Sequence, residues 1–139
     1  MKTAQDVFDQ VATHLLTQKE RALVSVANKN VRCAYRGVDG RKCAVGCLIA
    51  DEDYNPAMEG ACVAWVRRAL ADEAWLTSEN ALLKQWLEKS GYEPLMLLLE
   101  DLQTLHDEVS VIEEWPEILQ SIAEKHGVSG RILKNFQPV

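Results

Sequence analysis

The chain has 139 residues, of which 47% are apolar and 26% charged, and a formal net charge of −6. A domain of that size buries roughly 68% of its unfolded surface, so it can build a core without metal or disulfide staples. The acidic total argues against a protein that coats DNA or RNA. The apolar runs are short; Leu95 to Leu99, between Glu93 and Glu100, falls far short of the ~20 residues that span a bilayer.

In chain order, residues 3–18 carry Val7, Phe8, Val11, Leu15 and Leu16 on one stripe, with Thr3 and Asp6 placed as a capping pair. They predict an amphipathic helix. The period breaks over 19–30, and Asn28, Lys29 and Asn30 read as a turn. Val31, Cys33 and Tyr35 then alternate with Arg32, Ala34 and Arg36, which is a strand pattern. Gly37-Val38-Asp39-Gly40 is a tight reversal. The natural expectation is a short β-hairpin whose return arm starts at Arg41, Lys42 and Cys43. Residues 43–50 fit either a strand or a buried helix, and in both cases Cys43 and Cys47 share a face. Residues 51–60 read as an acidic loop.

The remainder is helical by period. Residues 61–74 place Cys62, Val66, Ala69 and Leu70 inward. A helix from Thr77 or Ser78 to Ser90 carries Leu82, Leu83, Trp86 and Leu87, and Gly91 terminates it. Pro94 suits a first helical turn, and the helix it opens runs to Val109 with Leu95, Leu98, Leu99, Leu102, Leu105 and Val109 on its stripe. Met96 and Leu97 add to its apolar character, which makes it the expected central helix. Pro116 opens the last helix, with Ile118, Leu119 and Ile122 inward and Gly127 after its end. The sum is a mainly α (α+β) single domain over residues 1–139: about five helices around a central apolar helix, with one small β-hairpin.

Charge is unevenly placed. Residues 19–42 carry seven basic and two acidic side chains, a net +5, whereas 43–126 carry a net −12 and the tail beyond carries +2. The polar start (Met1 to Asp6) has no apolar signal core, so a cytoplasmic protein is expected. In that reducing compartment Cys33, Cys43, Cys47 and Cys62 are expected as thiols, each behaving as a small buried hydrophobe.

Two stretches carry a resemblance. Cys33-Ala-Tyr-Arg-Gly-Val-Asp-Gly-Arg-Lys-Cys-Ala-Val-Gly-Cys-Leu-Ile, with Asp51-Glu52-Asp53-Tyr54 and Met58-Glu59-Gly60 after it, is the first. The second is Leu102-Gln103 with His106-Asp107, then Trp115 and Ile122-Ala123 before Gly127. Together they cover roughly a third of the chain and resemble a family of small proteins from phages, prophages and proteobacteria. Ala50 and Val38 stand where that family leads one to expect proline, both in loops. The family has no established activity, so the resemblance implies a setting, a mobile-element accessory protein, and no mechanism.

Several candidate chemistries arise from the residues themselves. Zinc would need three or four ligands, and Cys33, Cys43, Cys47 and His106 are candidates. Their spacing, C-x9-C-x3-C, lacks the usual C-x2-C knuckle, and small buried side chains are the plainer reading. A cysteine nucleophile needs a lowered thiol and an oriented base. Cys62 near a helix start, or Cys43, would be the thiol and His106 the base. Asp107 is a poor orienter by helix geometry, since neighbours project ~100° apart. A His-Asp metal phosphohydrolase would need further ligands, for which only His14 and His126 remain. The acidic cluster Asp51, Glu52, Asp53 lacks the mid-loop glycine of a calcium loop. Trp65, Trp75, Trp86 and Trp115 read as core or groove lining, and any exposed one would mark a partner surface.

The basic hairpin is the preferred site. Tyr35, Arg36, Arg41 and Lys42 flank a glycine turn, where guanidinium and backbone N–H groups can meet a phosphate. The sequence-level expectation is therefore a non-enzymatic accessory protein without a cofactor, binding a host protein or a small phosphate-bearing ligand. Nucleic acid and membrane are disfavoured as partners, and a homo-oligomer stays open. The alternative is a zinc-containing or Cys/His-dependent enzyme.

Overall fold

The computed structural model describes residues 3–19, 23–25, 31–33, 35–37, 40–72, 74, 76–109 and 111–136. Helix α1 spans Ala4–Gln18. Its start is the predicted capping box: Thr3 Oγ1 accepts the Asp6 N–H at 3.1 Å, and Asp6 Oδ2 accepts the Thr3 N–H at 3.2 Å. That arrangement satisfies two donors the first turn would otherwise leave open. Val7, Phe8, Val11, Ala12, Leu15 and Leu16 are all buried, so the 3.6-residue stripe is the buried face.

Two three-residue strands follow, β1 at Leu23–Ser25 and β2 at Val31–Cys33, paired antiparallel with Leu23 opposite Cys33. The turn expected at Asn28 to Asn30 lies outside the described residues.

Among the described residues the expected hairpin around Gly37–Gly40 is not seen, and across that reversal they form one isolated bridge, Arg36 to Lys42, with the Gly37 N–H bonding the Arg41 carbonyl at 2.8 Å. Gly40 holds a φ of +72°, and Val38 and Asp39 lie outside the described residues. The physical reason is competition for backbone groups. The N–H groups of Tyr35 and Arg36 donate to the Glu59 carboxylate, at 2.9 and 3.2 Å, instead of to a ladder. On the return side, the Lys42 N–H donates to Gln18 Oε1 at 2.8 Å, and its carbonyl accepts from His14 and Gln18 of α1. β2 therefore pairs backwards, with β1.

Residues 43–50 resolve toward the helical alternative. Cys47 N–H bonds the Cys43 carbonyl at 3.0 Å and leads into a 3-10 turn at Gly46–Leu48. The acidic loop includes a second 3-10 turn, Pro56–Gly60, capped by Asn55 Oδ1 on the Ala57 N–H at 2.9 Å.

The rest of the chain is helical: α2 at Val63–Ala71, α3 at Ser78–Lys89, α4 at Met96–Glu108 and α5 at Trp115–Lys125. Thr77 caps α3 through the Asn80 N–H at 3.2 Å, and Pro94 sits in a 3-10 turn that leads into α4. Gly91 and Gly127 follow α3 and α5 with positive φ, as helix terminators do. Helix α4 packs against α1, α2 and α5. Leu98, Leu99, Leu102 and Leu105 of α4 join Phe8, Leu15, Trp115 and Leu119 in one buried cluster. The protein is mainly helical.

One inward assignment is corrected: Leu70 is 50% exposed. Leu97, outside the stripe of α4, is 60% exposed. Leu97 is the one residue of its Leu95–Leu99 run that the 3.6-residue turn leaves exposed. The short α2 buries only Val63, Val66 and Ala69. No helix among the described residues is long and apolar enough to cross a membrane.

Candidate functional site

The first signature stretch folds around one carboxylate. Glu59, at the end of the Pro56–Gly60 turn, accepts the Tyr35 N–H on Oε1 and the Arg36 N–H on Oε2. Oε2 also accepts the Tyr54 hydroxyl at 2.5 Å. Hydrogen bonds to a charged acceptor contribute about 1.5–3 kcal/mol each, so this one side chain ties three segments together. Tyr35 is buried, and its hydroxyl donates to the Ala61 carbonyl at 2.5 Å. Burial is the main cause that raises its phenol well above the ordinary range. Gly46 packs directly on Tyr35: a Cβ there would lie 2.1 Å from the Tyr35 carbonyl oxygen. The Gly in Cys-Ala-Val-Gly-Cys is thus required by a close backbone approach.

Arg36 completes the cluster. Its guanidinium pairs with Asp51 at 2.8 Å, donates to the Ile49 carbonyl at 3.1 Å and stacks 4.4 Å above the Tyr54 ring centre. Burial first, then the Glu59 hydrogen bond, pushes the Tyr54 phenol up to about 12. Of the four predicted ligand residues, Tyr35 and Arg36 thus sit side by side with their polar groups directed into the chain itself. Lys42 is fixed through its backbone by His14 and Gln18, and Arg41 is half-buried with a polar partner.

A second polar string runs through the core. The Val45 N–H donates to Gln103 Oε1 at 3.0 Å, and Gln103 Nε2 donates to Asp107 Oδ1 at 2.7 Å. His106, fully buried, bonds the same Oδ1 through Nδ1 at 2.8 Å. The expectation that Asp107 would not orient His106 is corrected here. Nδ1 is the ring nitrogen nearer the backbone, and a short aspartate turned sideways reaches it despite the ~100° between neighbours. The link that Gln103 makes from Val45 to Asp107 escaped the sequence reading, although a glutamine four residues after Leu99 on an apolar stripe was the available signal.

The thiols are guarded. Cys43 is fully buried, accepts the Gly46 N–H at 3.2 Å, and is pushed well up by burial. Cys47 is half-buried and donates to the Ala44 carbonyl at 3.1 Å. Cys62 is the N-cap of α2, as its place after Gly60 predicted, yet burial raises its thiol too. The side chain of Cys33 lies outside the described residues. Among the described residues no three His, Cys, Asp or Glu side chains are grouped to hold a metal ion.

The other histidines have separate partners. His14 Nε2 donates to the Lys42 carbonyl at 2.8 Å, and burial, its largest influence, lowers its pKa. His126, at the C-cap of α5, bonds Asp101 of α4 at 2.6 Å, and Lys125 pairs with the same oxygen at 2.9 Å. Burial alone would raise the Asp101 carboxyl, but these two partners outweigh it and hold it below the ordinary range. Trp115 and Trp86 are core residues, Trp65 is 43% exposed, and Trp75 lies outside the described residues. Lys89, at the end of α3, pairs with Asp53 of the acidic loop at 2.9 Å. Comparison with family models, curated proteins and solved structures gives no match.

Proposed function

We propose that this protein acts by binding, as a phage- or prophage-type accessory protein of the cytoplasm whose partner is a host protein or a small phosphate-bearing ligand. One observation carries the reading: His106, the base a Cys/His enzyme would use, and Cys43, one of its two candidate thiols, are both 0% exposed, while burial raises the thiol of the other, the half-buried Cys62. A thiol held protonated by burial is a poor nucleophile, and a substrate has no route to it without opening the core. The basic stretch supports the choice of ligand, with Arg41 and Lys42 on the return side of a turn that Tyr35, Arg36 and Glu59 brace from within. No cofactor enters this reading.

The test is a turnover screen with activated ester, phosphoester and peptide substrates on the purified protein, with elemental analysis of the same sample. The expected result is no turnover above the blank and no stoichiometric zinc. Hydrolysis that disappears in Cys47→Ala or His106→Ala, or one equivalent of zinc per chain, would instead establish the Cys/His or zinc enzyme.

A further inference from the structure

The two cations of the C-terminal tail lie in a built and rigid setting. Gly127 reverses the chain after α5 with a φ of +67°, and the Val128 N–H closes back on the Ala123 carbonyl at 3.0 Å. Ser129 is then clamped to α1 in both directions: its N–H donates to Gln5 Oε1 at 2.7 Å, and its carbonyl accepts from Gln5 Nε2 at 3.0 Å. Gly130 lies under Gln120, where a Cβ would fall 2.2 Å from the amide oxygen. Leu133 is buried in the core. The 3-10 segment Arg131–Phe136 is thereby fixed between α1 and α5.

In a 3-10 turn, side chains three apart eclipse each other, so Arg131 and Lys134 stand side by side. Both are exposed, and neither side chain makes an ion pair or hydrogen bond among the described residues. Arg36, Arg67, Lys84, Lys89 and Lys125 by contrast each have a carboxylate within 3 Å. Two like charges at this spacing repel, and a doubly charged anion between them relieves that repulsion.

The same two residues line grooves on both sides of the segment. One, of about 670 Å³, also has Pro116, Gln120 and Leu133 in its wall, and the other, of about 620 Å³, has Gln5, Ile132 and Asn135. Each groove contains one carboxylate, Glu117 in the first and Asp9 in the second, against two cations. Asp9 already accepts Gln5 Nε2 at 2.9 Å. Both volumes fall within the ~300–1,000 Å³ of small-molecule sites, and both walls mix apolar with amide groups.

We propose that Arg131 and Lys134 grip the phosphate of a small phosphorylated molecule whose body lies in one of the flanking grooves. The inference rests on the phosphate-bearing ligand of the preceding reading and places it at the C-terminal turn instead of at Arg41 and Lys42. A guanidinium and an ammonium on one face supply a bidentate and a point contact to phosphate oxygens. An amide and an aliphatic wall beside them suit a flat, partly apolar body.

Calorimetric titration of the full chain with ADP, pyrophosphate and adenosine tests this. The expected order is ADP tighter than pyrophosphate, with adenosine not binding. In the double variant Arg131→Gln/Lys134→Gln the ADP Kd rises about tenfold or more, whereas Arg41→Gln/Lys42→Gln leaves it unchanged. Both altered cations are exposed, so an unchanged urea midpoint verifies that the variant is folded. ADP binding that survives Arg131→Gln/Lys134→Gln overturns the proposal, and if it is lost in Arg41→Gln/Lys42→Gln the broader reading stands with its site at the turn near Gly40. Absence of binding by both ADP and pyrophosphate overturns this site and leaves a protein partner as the only form of the broader reading.

Discussion

Replacing Glu59 by glutamine isolates the charge of the carboxylate while keeping its shape. In the native chain its two oxygens receive three donors: the Tyr35 N–H at 2.9 Å, the Arg36 N–H at 3.2 Å and the Tyr54 hydroxyl at 2.5 Å. A glutamine presents one acceptor oxygen, so it can satisfy one backbone N–H and must aim its own NH₂ at the other. The Tyr54 hydroxyl can rotate and accept from that NH₂, which returns part of the loss. One charge-assisted bond becomes neutral, worth about 1 kcal/mol, and one backbone N–H loses its partner in a partly buried site, worth about 1–3 kcal/mol. Glu59→Gln should therefore destabilise by about 2–4 kcal/mol. Urea unfolding followed by tryptophan fluorescence reads it as a lower midpoint with an unchanged slope. A double-mutant cycle with Tyr54→Phe should show coupling of at least about 0.5 kcal/mol, because the two side chains share a bond. A Glu59→Gln midpoint equal to that of the parent protein, or zero coupling, would refute the idea that this carboxylate organises the signature stretch.

Four further outcomes follow from the same geometry. Gly46→Ala forces a Cβ to within 2.1 Å of the Tyr35 carbonyl oxygen, so unfolding should show a loss of about 1–3 kcal/mol or more, well above an ordinary surface glycine change. Cys43 should resist an aromatic disulfide reagent in the native state and react on addition of denaturant, while Cys43→Ala costs on the order of 1 kcal/mol. The Tyr54 phenol is raised in the folded state, so its contribution is complete below pH 10.0 and is lost as pH climbs toward about 12; Tyr54→Phe should flatten that part of the alkaline stability profile. His14 is depressed in the folded state, so its contribution is complete above pH 6.5 and falls away as acid protonates the unfolded chain first. Thermal melts of His14→Gln between pH 7 and 5 should lack that slope while keeping a donor for the Lys42 carbonyl.

Sequence reasoning succeeded where one local rule decided the outcome. Thr3 with Asp6, Thr77 with Asn80, and glycines at 91 and 127 mark helix ends by short-range bonds and φ sign alone. It failed where distant groups compete for the same backbone. Alternation at Val31, Cys33 and Tyr35 does signal extended chain, but its partner is settled by Glu59, His14 and Gln18, between 23 and 28 residues away from the atoms they bond. No period reports that. The candidate site suffered in the same way: basic residues around a glycine turn look alike whether they await a ligand or hold an inner carboxylate. Arg131 and Lys134 were legible only as a +2 tail, because their alignment comes from a 3-10 turn that Gln5 and Gln120 fix from two other helices.

That contrast separates two uses of charge in this chain. Arg36 is held three ways, by Asp51, the Ile49 carbonyl and the Tyr54 ring, and removing any one partner leaves a half-buried cation underserved. Such a residue is invariant in role whatever the protein binds, since its loss is felt first as instability. Arg131 and Lys134 carry no such internal obligation, so their loss should leave stability within about 0.5 kcal/mol of the parent. A dense motif in this protein thus identifies what must fold, and its sparsely bonded cations identify where a ligand can act without opening that fold. The two classes are separable in one experiment. Arg36→Gln should lower the urea midpoint, with any fall in ligand affinity tracking the unfolded fraction. Arg131→Gln/Lys134→Gln should leave the midpoint in place and act on affinity alone. Were the stability losses to fall on the tail cations and spare Arg36, the division would be wrong, and the tail would belong to the folding framework with the signature stretch.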